Sequence, residues 1–163
     1  MKKLFIIFIA LVLMIAITAC GDTEQPSEDS SLPPDSNHTE EMEDVKSMKM
    51  SVKIGDKSFT ATLEDNTATR ELIKMMEEAP ISINMDDYSG FEKVGSLGRS
   101  LTTDNKQITT QAGDIVLYSG NQIVMFYGSN AWSYTKIGKI DDLSGWEDAL
   151  GNGSVTAVFT LVE

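Results

Sequence analysis

The sequence predicts a mainly β domain with one or two short helices, wound into a small closed or nearly closed antiparallel β-barrel. Three observations predict it. Short runs of alternating apolar and polar residues recur from Met50 to Val162. One stretch alone, Thr67 to Ala79, carries a clear helical period. Strands and helices do not alternate in the βαβ rhythm of a parallel sheet.

The elements follow in order. Met50, Val52 and Ile54 alternate with Ser51 and Lys53, Gly55-Asp56 interrupts, and Phe59, Ala61 and Leu63 alternate with Ser58, Thr60 and Thr62. Period-two patterning around a Gly-Asp turn reads as a β-hairpin. The period then changes. Leu72, Ile73, Met76 and Ala79 fall on one stripe with Arg70, Lys74, Glu77 and Glu78 elsewhere, which predicts an amphipathic helix. Asn66 or Thr67 can cap its start, and Pro80 ends it. Ile81, Ile83 and Met85 alternate again as a strand. From Asp86 through Gly95, Gly98, Asp104 and Asn105 the pattern is weak, and this stretch reads as the longest loop region.

The strongest β signal comes next: Ile115 to Tyr118, a break at Ser119-Gly120-Asn121, and Ile123 to Tyr127. Both runs are apolar on both faces, so this hairpin is expected to be covered on both sides or to close a barrel. A short strand over 132–137, a turn of helix over 143–150, a turn at Gly151-Asn152-Gly153 and a last strand over 155–162 complete the chain. The methionines, Met75, Met76 and Met125 among them, read as core filler or surface residues.

The N-terminus has the anatomy of a secretory signal: Lys2 and Lys3, an apolar run from Leu4 to Ile17, then Thr18-Ala19-Cys20-Gly21. A spanning helix needs about 20 apolar residues to cross roughly 30 Å of hydrocarbon, and this run is shorter. Residues 1–19 are therefore expected to be cleaved, with an ordinary signal peptide or an uncleaved anchor helix as the alternatives. Residues 20–46 read as an acidic, disordered linker. Gly21 to Val45 holds nine acidic side chains, no Lys or Arg, and Pro26, Pro33 and Pro34, so it cannot bury enough surface to offset its ordering entropy. His38, the only His, reads as a solvated linker residue. Residues 47–163 form one domain, long enough for a single core.

Ile17-Thr18-Ala19-Cys20 resembles the bacterial lipobox, whose Cys becomes the lipid-modified first residue of the mature protein. Cys20 is the only Cys in the chain, so it cannot form an internal disulfide, and modification accounts for its solitude. The resemblance implies an extracytoplasmic protein held to a membrane through a lipid on Cys20. Several acyl chains give stable anchoring where one does not.

A second resemblance covers the domain. Gly113 to Tyr118, Gly120 to Gly128, Trp132-Ser133-Tyr134 and Ile137 to Ile140 are similar to the small bacterial cyclophilin-like proteins, distant relatives of the peptidyl-prolyl isomerases, and a looser likeness extends from about Met48 to Val162. Gly120-Asn121-Gln122 resembles the Gly-Ser-Gln of true cyclophilins, Trp132 stands at the spacing of their active-site Trp, and Ile137-Gly138-Lys139-Ile140 resembles their Phe-Gly-Lys-Val. The resemblance implies a shortened barrel and a groove in which Gln122 holds a peptide backbone and Val124, Met125 or Phe126 with Trp132 form the apolar wall. Arg99 is the nearest counterpart of the catalytic Arg. Against the pattern, the cyclophilin His is missing, and Val124 replaces the aromatic that floors the proline pocket.

A cyclophilin lowers the roughly 18 to 20 kcal/mol barrier of the amide by gripping the proline ring while an Arg favours a pyramidal nitrogen. The departures leave that enzyme activity open. The expected function is a membrane-anchored binding module for a peptide, an exported protein segment or a small ligand. A weak peptidyl-prolyl isomerase and a structural envelope protein with a vestigial groove are the alternatives. Nucleic acid is an improbable partner at a formal net charge of −12, which loss of Lys2 and Lys3 makes more negative still. The domain contains no His or Cys, which sets aside most nucleophilic and zinc chemistry, and neither a metal nor another cofactor is expected.

Overall fold

The computed structural model describes residues 48–162; Cys20, the signal segment and the linker lie outside them. The described residues open with the expected hairpin, β1 (Lys49–Ile54) and β2 (Lys57–Leu63), turning at Gly55 with φ +57°. The helix α1 (Thr67–Glu78) follows. Asn66 caps it: its Oδ1 accepts a hydrogen bond from the Thr69 backbone N–H at 3.0 Å, satisfying one of the free donors of the first turn. Then come β3 (Ile81–Tyr88), β4 (Glu92–Ser96), β5 (Lys106–Thr109), β6 (Asp114–Tyr118), β7 (Gln122–Phe126), β8 (Ala131–Ile140), the short helix α2 (Trp146–Leu150) and β9 (Val155–Leu161).

Neighbouring strands run β2-β1-β9-β3-β4-β7-β6-β8, and β8 pairs back onto β2. Eight antiparallel strands thus close a barrel, with β5 attached outside it along the first half of β8. Closure depends on β8. Its residues 131–134 pair with β5, 135–139 with β6 and 138–140 with β2, and a register shift opposite Ile115 and Val116 bends it between these partners. At the seam Gly138 faces Leu63, and a Cβ on Gly138 would lie 2.6 Å from the Thr62 carbonyl oxygen. Only a residue without a side chain lets the two strands meet there.

The barrel interior is the main core. Met50, Val52, Ile54, Ile83, Met85, Ile115, Leu117, Ile123, Met125 and Ile137 fill it, and Leu72, Ile73 and Met76 bring α1 into the same cluster. Trp146 is buried; its Nε1 donates to the Phe126 carbonyl at 2.9 Å and its ring meets Phe59 edge-on at 4.9 Å.

The hairpin of β6 and β7 is apolar on both faces because both expected reasons hold. Ile115, Leu117, Ile123 and Met125 point inward, whereas Val116, Val124 and Phe126 point outward into a second buried cluster with Tyr134, bordered by Phe91, Val94 and Ile108. Two expectations are corrected. The stretch from Asp86 to Asn105 is not one long loop, since it contains the end of β3 and all of β4, and β5 follows it directly. Its period is hidden because the inward positions of β4 are Lys93 and Gly95 in place of large apolar residues. A Cβ on Gly95 would come within 2.4 Å of Ile83 Cγ2, so β4 lies too close to β3 for any side chain there. The strand after Gly128 is also longer than expected, running ten residues to Ile140.

Candidate functional site: an aromatic groove on the outer face of the barrel

Because strand side chains alternate between faces, the outward residues of four adjacent strands share one surface. Glu92 and Val94 of β4, Gln122 and Val124 of β7, Tyr118 of β6 and Trp132 and Tyr134 of β8 line a groove of about 580 Å³ there. The corner between β3 and β4 adds Tyr88 and Phe91, and the segment before β8 adds Asn130. Ser89 and Gly90, with φ +55° and +72°, make the tight corner that turns Phe91 back over the sheet. The floor is the second buried cluster, so the aromatic walls stand on a packed base.

The walls differ in exposure. Trp132 is 55% and Tyr88 59% exposed, large apolar surfaces that nothing among the described residues covers. Tyr134 is buried, its ring edge-on to Tyr118 at 6.0 Å and to Phe126 at 5.7 Å, and its hydroxyl accepts a hydrogen bond from Asn130 Nδ2 at 3.0 Å. Its burial pushes the phenol up, and the Glu92 charge adds to this.

Glu92 is the chemically unusual member. It is 6% exposed, and its Oε2 is sealed from solvent with no hydrogen-bond partner among the described residues. Its cross-strand neighbours are Tyr88 on β3 and Phe126 on β7, neither of which balances a charge. Desolvation alone pushes its carboxyl up to about 7.

The next residue behaves oppositely. Lys93 is fully buried on the other face of β4, and its ammonium donates to Asp87 Oδ1 at 2.7 Å, to the Gly153 carbonyl at 2.7 Å and to the Gly151 carbonyl at 3.0 Å. All three protons are used. Tyr127 donates to the same Asp87 oxygen and offers its ring to the Lys93 ammonium at 5.4 Å. The hydrogen bond from Lys93 holds the Asp87 carboxyl low, helped by that from Tyr127; burial first, then Asp87, pushes the Tyr127 phenol up to about 12. This network ties the turn between α2 and β9 to β4 and closes one end of the barrel.

Of the residues expected from the sequence, Gln122, Val124 and Trp132 come together in the groove. Phe126 lies under it in the floor cluster. Met125 does not reach it: one position along β7 from Val124, it points into the barrel, fully buried. Arg99 is also elsewhere. It is exposed on the loop after β4 and lines surface depressions with Met75 and Glu78 of α1, so no cation takes part in the groove lining. Sequence reasoning missed Glu92, Tyr88, Phe91, Val94, Tyr118, Asn130 and Tyr134. The available signal was tyrosine placement: three of the four tyrosines in the chain line the groove.

The closed antiparallel barrel with two short helices is a cyclophilin-like fold. The Cyclophilin-like family pattern matches residues 52–160, two thirds of the sequence, and the chain belongs to that family. Among solved structures, the solution structure of the hypothetical protein AF2241 from Archaeoglobus fulgidus is similar at 16% identity and a TM-score of 0.51, covering 69% of this chain and 94% of that one. That likeness is one of fold. No curated protein matches.

Proposed function

We propose that this protein is an extracytoplasmic binding protein, tethered to a membrane by a lipid on Cys20, that takes a short peptide segment or a small ligand in the groove of its cyclophilin-like barrel. The groove carries this reading: a preformed concavity of about 580 Å³, walled by aromatic side chains and containing a few polar groups, is what a ligand site requires. Exposed Trp132 and Tyr88 offer contact area, while Gln122 and Asn130 offer hydrogen-bonding groups. The lipobox-like Ile17 to Cys20 segment supports the tether.

The isomerase reading has less support. It needs a cationic donor facing the prolyl nitrogen and an aromatic floor, whereas the groove lining has no Lys or Arg and Val124 stands where the aromatic would be.

The test uses 5-fluorotryptophan. The chain has two Trp residues, one in the groove and one in the core, which give two ¹⁹F resonances that a Trp132→Phe variant assigns. Screening blocked dipeptides and small fragments should yield compounds that move the Trp132 resonance saturably and leave Trp146 in place. A broad screen in which only Trp146, or neither, responds would refute groove binding and favour a purely structural role.

A further inference from the structure

We propose that the ligand of the groove carries an organic monocation, an alkylammonium or guanidinium group, whose charge pairs with Glu92 and whose apolar stem lies against Trp132, Tyr118 and Tyr134. The proposal deepens the binding reading and rests on it.

The argument begins from a missing counter-charge. A buried carboxyl is ordinarily hydrogen-bonded or paired, because desolvating it alone is costly. Glu92 is neither: Oε2 has no partner, and none of the salt bridges among the described residues includes it. Asp114 makes the contrast. Its Oδ1 also lacks a hydrogen bond, but the ammonium groups of Lys136 and Lys139 stand 3.7 and 3.8 Å away. The cation nearest to Glu92 in sequence, Lys93, lies on the opposite face of β4 with its donors fully engaged.

The walls complete the complementarity. Tyr118, Trp132 and Tyr134 line the same groove as the carboxyl, and the face of an aromatic ring attracts a cation. An anion would meet Glu92 on a chain of formal net charge −12. A neutral donor could satisfy one hydrogen bond but would leave the carboxylate uncompensated. An amine or guanidinium on a short apolar stem satisfies both the charge and the aromatic surface, and the cavity accommodates it.

The site should respond to pH in one direction. Burial leaves Glu92 substantially protonated below about 7, so a cation binds best above that value. The titratable groups that share the groove with it are phenols: Tyr88 from β3, Tyr118 from β6 and Tyr134 from β8. Burial pushes the Tyr134 phenol up, away from the range in which Glu92 titrates.

The experiment titrates the purified full-length chain with n-butylammonium, n-butylguanidinium and the neutral 1-pentanol, reading the Trp132 and Trp146 ¹⁹F resonances. At pH 8 both cations should bind saturably at the Trp132 resonance and at least tenfold more tightly than pentanol. Their affinity should fall by up to tenfold per pH step below 7. Glu92→Gln, which keeps the shape of the side chain, should weaken the cations tenfold or more while pentanol binding changes little; unmoved resonances in the free variant report an intact fold. A blocked Ala-Lys-Ala peptide binding more tightly than n-butylammonium identifies a polypeptide side chain as the source, and equal or weaker binding identifies a free amine. If pentanol matches the cations, or Glu92→Gln binds them as well as the parent does, the cation proposal fails and groove binding stands. If no probe, charged or neutral, moves Trp132 here or in the wider screen, both fail.

Discussion

Glu92 should make the domain more stable in mild acid than in mild alkali, and replacing it should remove that dependence. Its carboxyl sits at about 7 in the fold against an ordinary value of 4.5, because burial disfavours the charged form. The folded state therefore binds more protons than the unfolded state between these values. The contribution is full below about 4.5, declines as pH rises and is gone above about 7. At about 1.4 kcal/mol per pKa step the difference is about 3.4 kcal/mol, and contact of the residue with the groove reduces this to roughly 2 kcal/mol. Asp87, Glu71, Asp141 and Asp142 have lowered values and act in the opposite sense, in a separate window below about pH 4. Stability should therefore peak near pH 5. Urea unfolding followed by far-ultraviolet circular dichroism at half-unit steps from pH 4.5 to 8.5 measures it. Glu92→Gln should flatten the decline and, at pH 8, should be more stable than the parent by about 2 kcal/mol. A parent profile that is flat from pH 5 to 8, or a variant that keeps the decline, would refute the assignment of an uncompensated buried carboxyl.

Further predictions concern the scaffold and the tether. Lys93→Met keeps the apolar stem but leaves Asp87 and the Gly151 and Gly153 carbonyls without their donor; it should cost about 2–3 kcal/mol and lower Tm by roughly 6–15 °C in thermal melts. Asp87→Asn should cost less, about 1 kcal/mol, because that side chain is partly solvated. Gly95→Ala should cost about 3 kcal/mol or abolish soluble expression, since its Cβ would lie 2.4 Å from Ile83 Cγ2 and 2.6 Å from the Asn84 carbonyl oxygen, whereas Ser96→Ala on the exposed neighbour should change stability by under about 0.5 kcal/mol. Intact-mass analysis of the membrane fraction should find a chain starting at Cys20 with several acyl groups, and Cys20→Ser should abolish both the acylation and the membrane retention; an unmodified Cys20 in the parent would refute the tether.

The fold was legible where one face of each element is apolar. The β1–β2 hairpin, α1 with its Asn66 cap, and the double-faced run from Ile115 to Phe126 all write their burial into the residue pattern. β4 was not legible because three of its positions defy the rule that strand cores are large and apolar. Glu92 and Lys93 are buried charges, and Gly95 is an inward residue with no side chain. Reading them correctly requires knowing the partners: Gly151 and Gly153 lie almost sixty residues from Lys93 in sequence. β5 was missed for a different reason. Its outer edge is unpaired, and its residues Lys106, Gln107 and Thr109 are exposed, so only Ile108 carries a burial signal. For the groove, Gln122, Val124 and Trp132 were found through resemblance, and strand alternation could have removed Met125 from the set. Arg99 was taken as the nearest counterpart of the catalytic Arg where the resemblance is loose, and a loose resemblance does not locate a side chain.

The position of the groove follows from how the barrel is filled. An eight-stranded barrel has room inside for its own side chains, and here Met50, Met85, Ile115, Leu117, Ile123, Met125 and Ile137 occupy it. A ligand can therefore be taken only on the outer wall, which in most of a barrel is polar and flat. This wall became apolar and concave because elements outside the eight-strand circuit were added to it. The Ser89-Gly90 corner folds Phe91 across β4, and β5 extends the surface beyond β8 beside Trp132. Covering β4 in this way buries whichever side chain faces outward at its start. That side chain is Glu92, and an alanine or valine there would have cost nothing to desolvate. The closed end of the barrel uses the adjacent charge, Lys93, with every proton satisfied, whereas the open groove holds a charge with none of its demand met inside the described chain. The same strand thus separates a charge completed by folding from one that folding leaves uncompensated, and on that difference the proposal of a cation site in the groove rests.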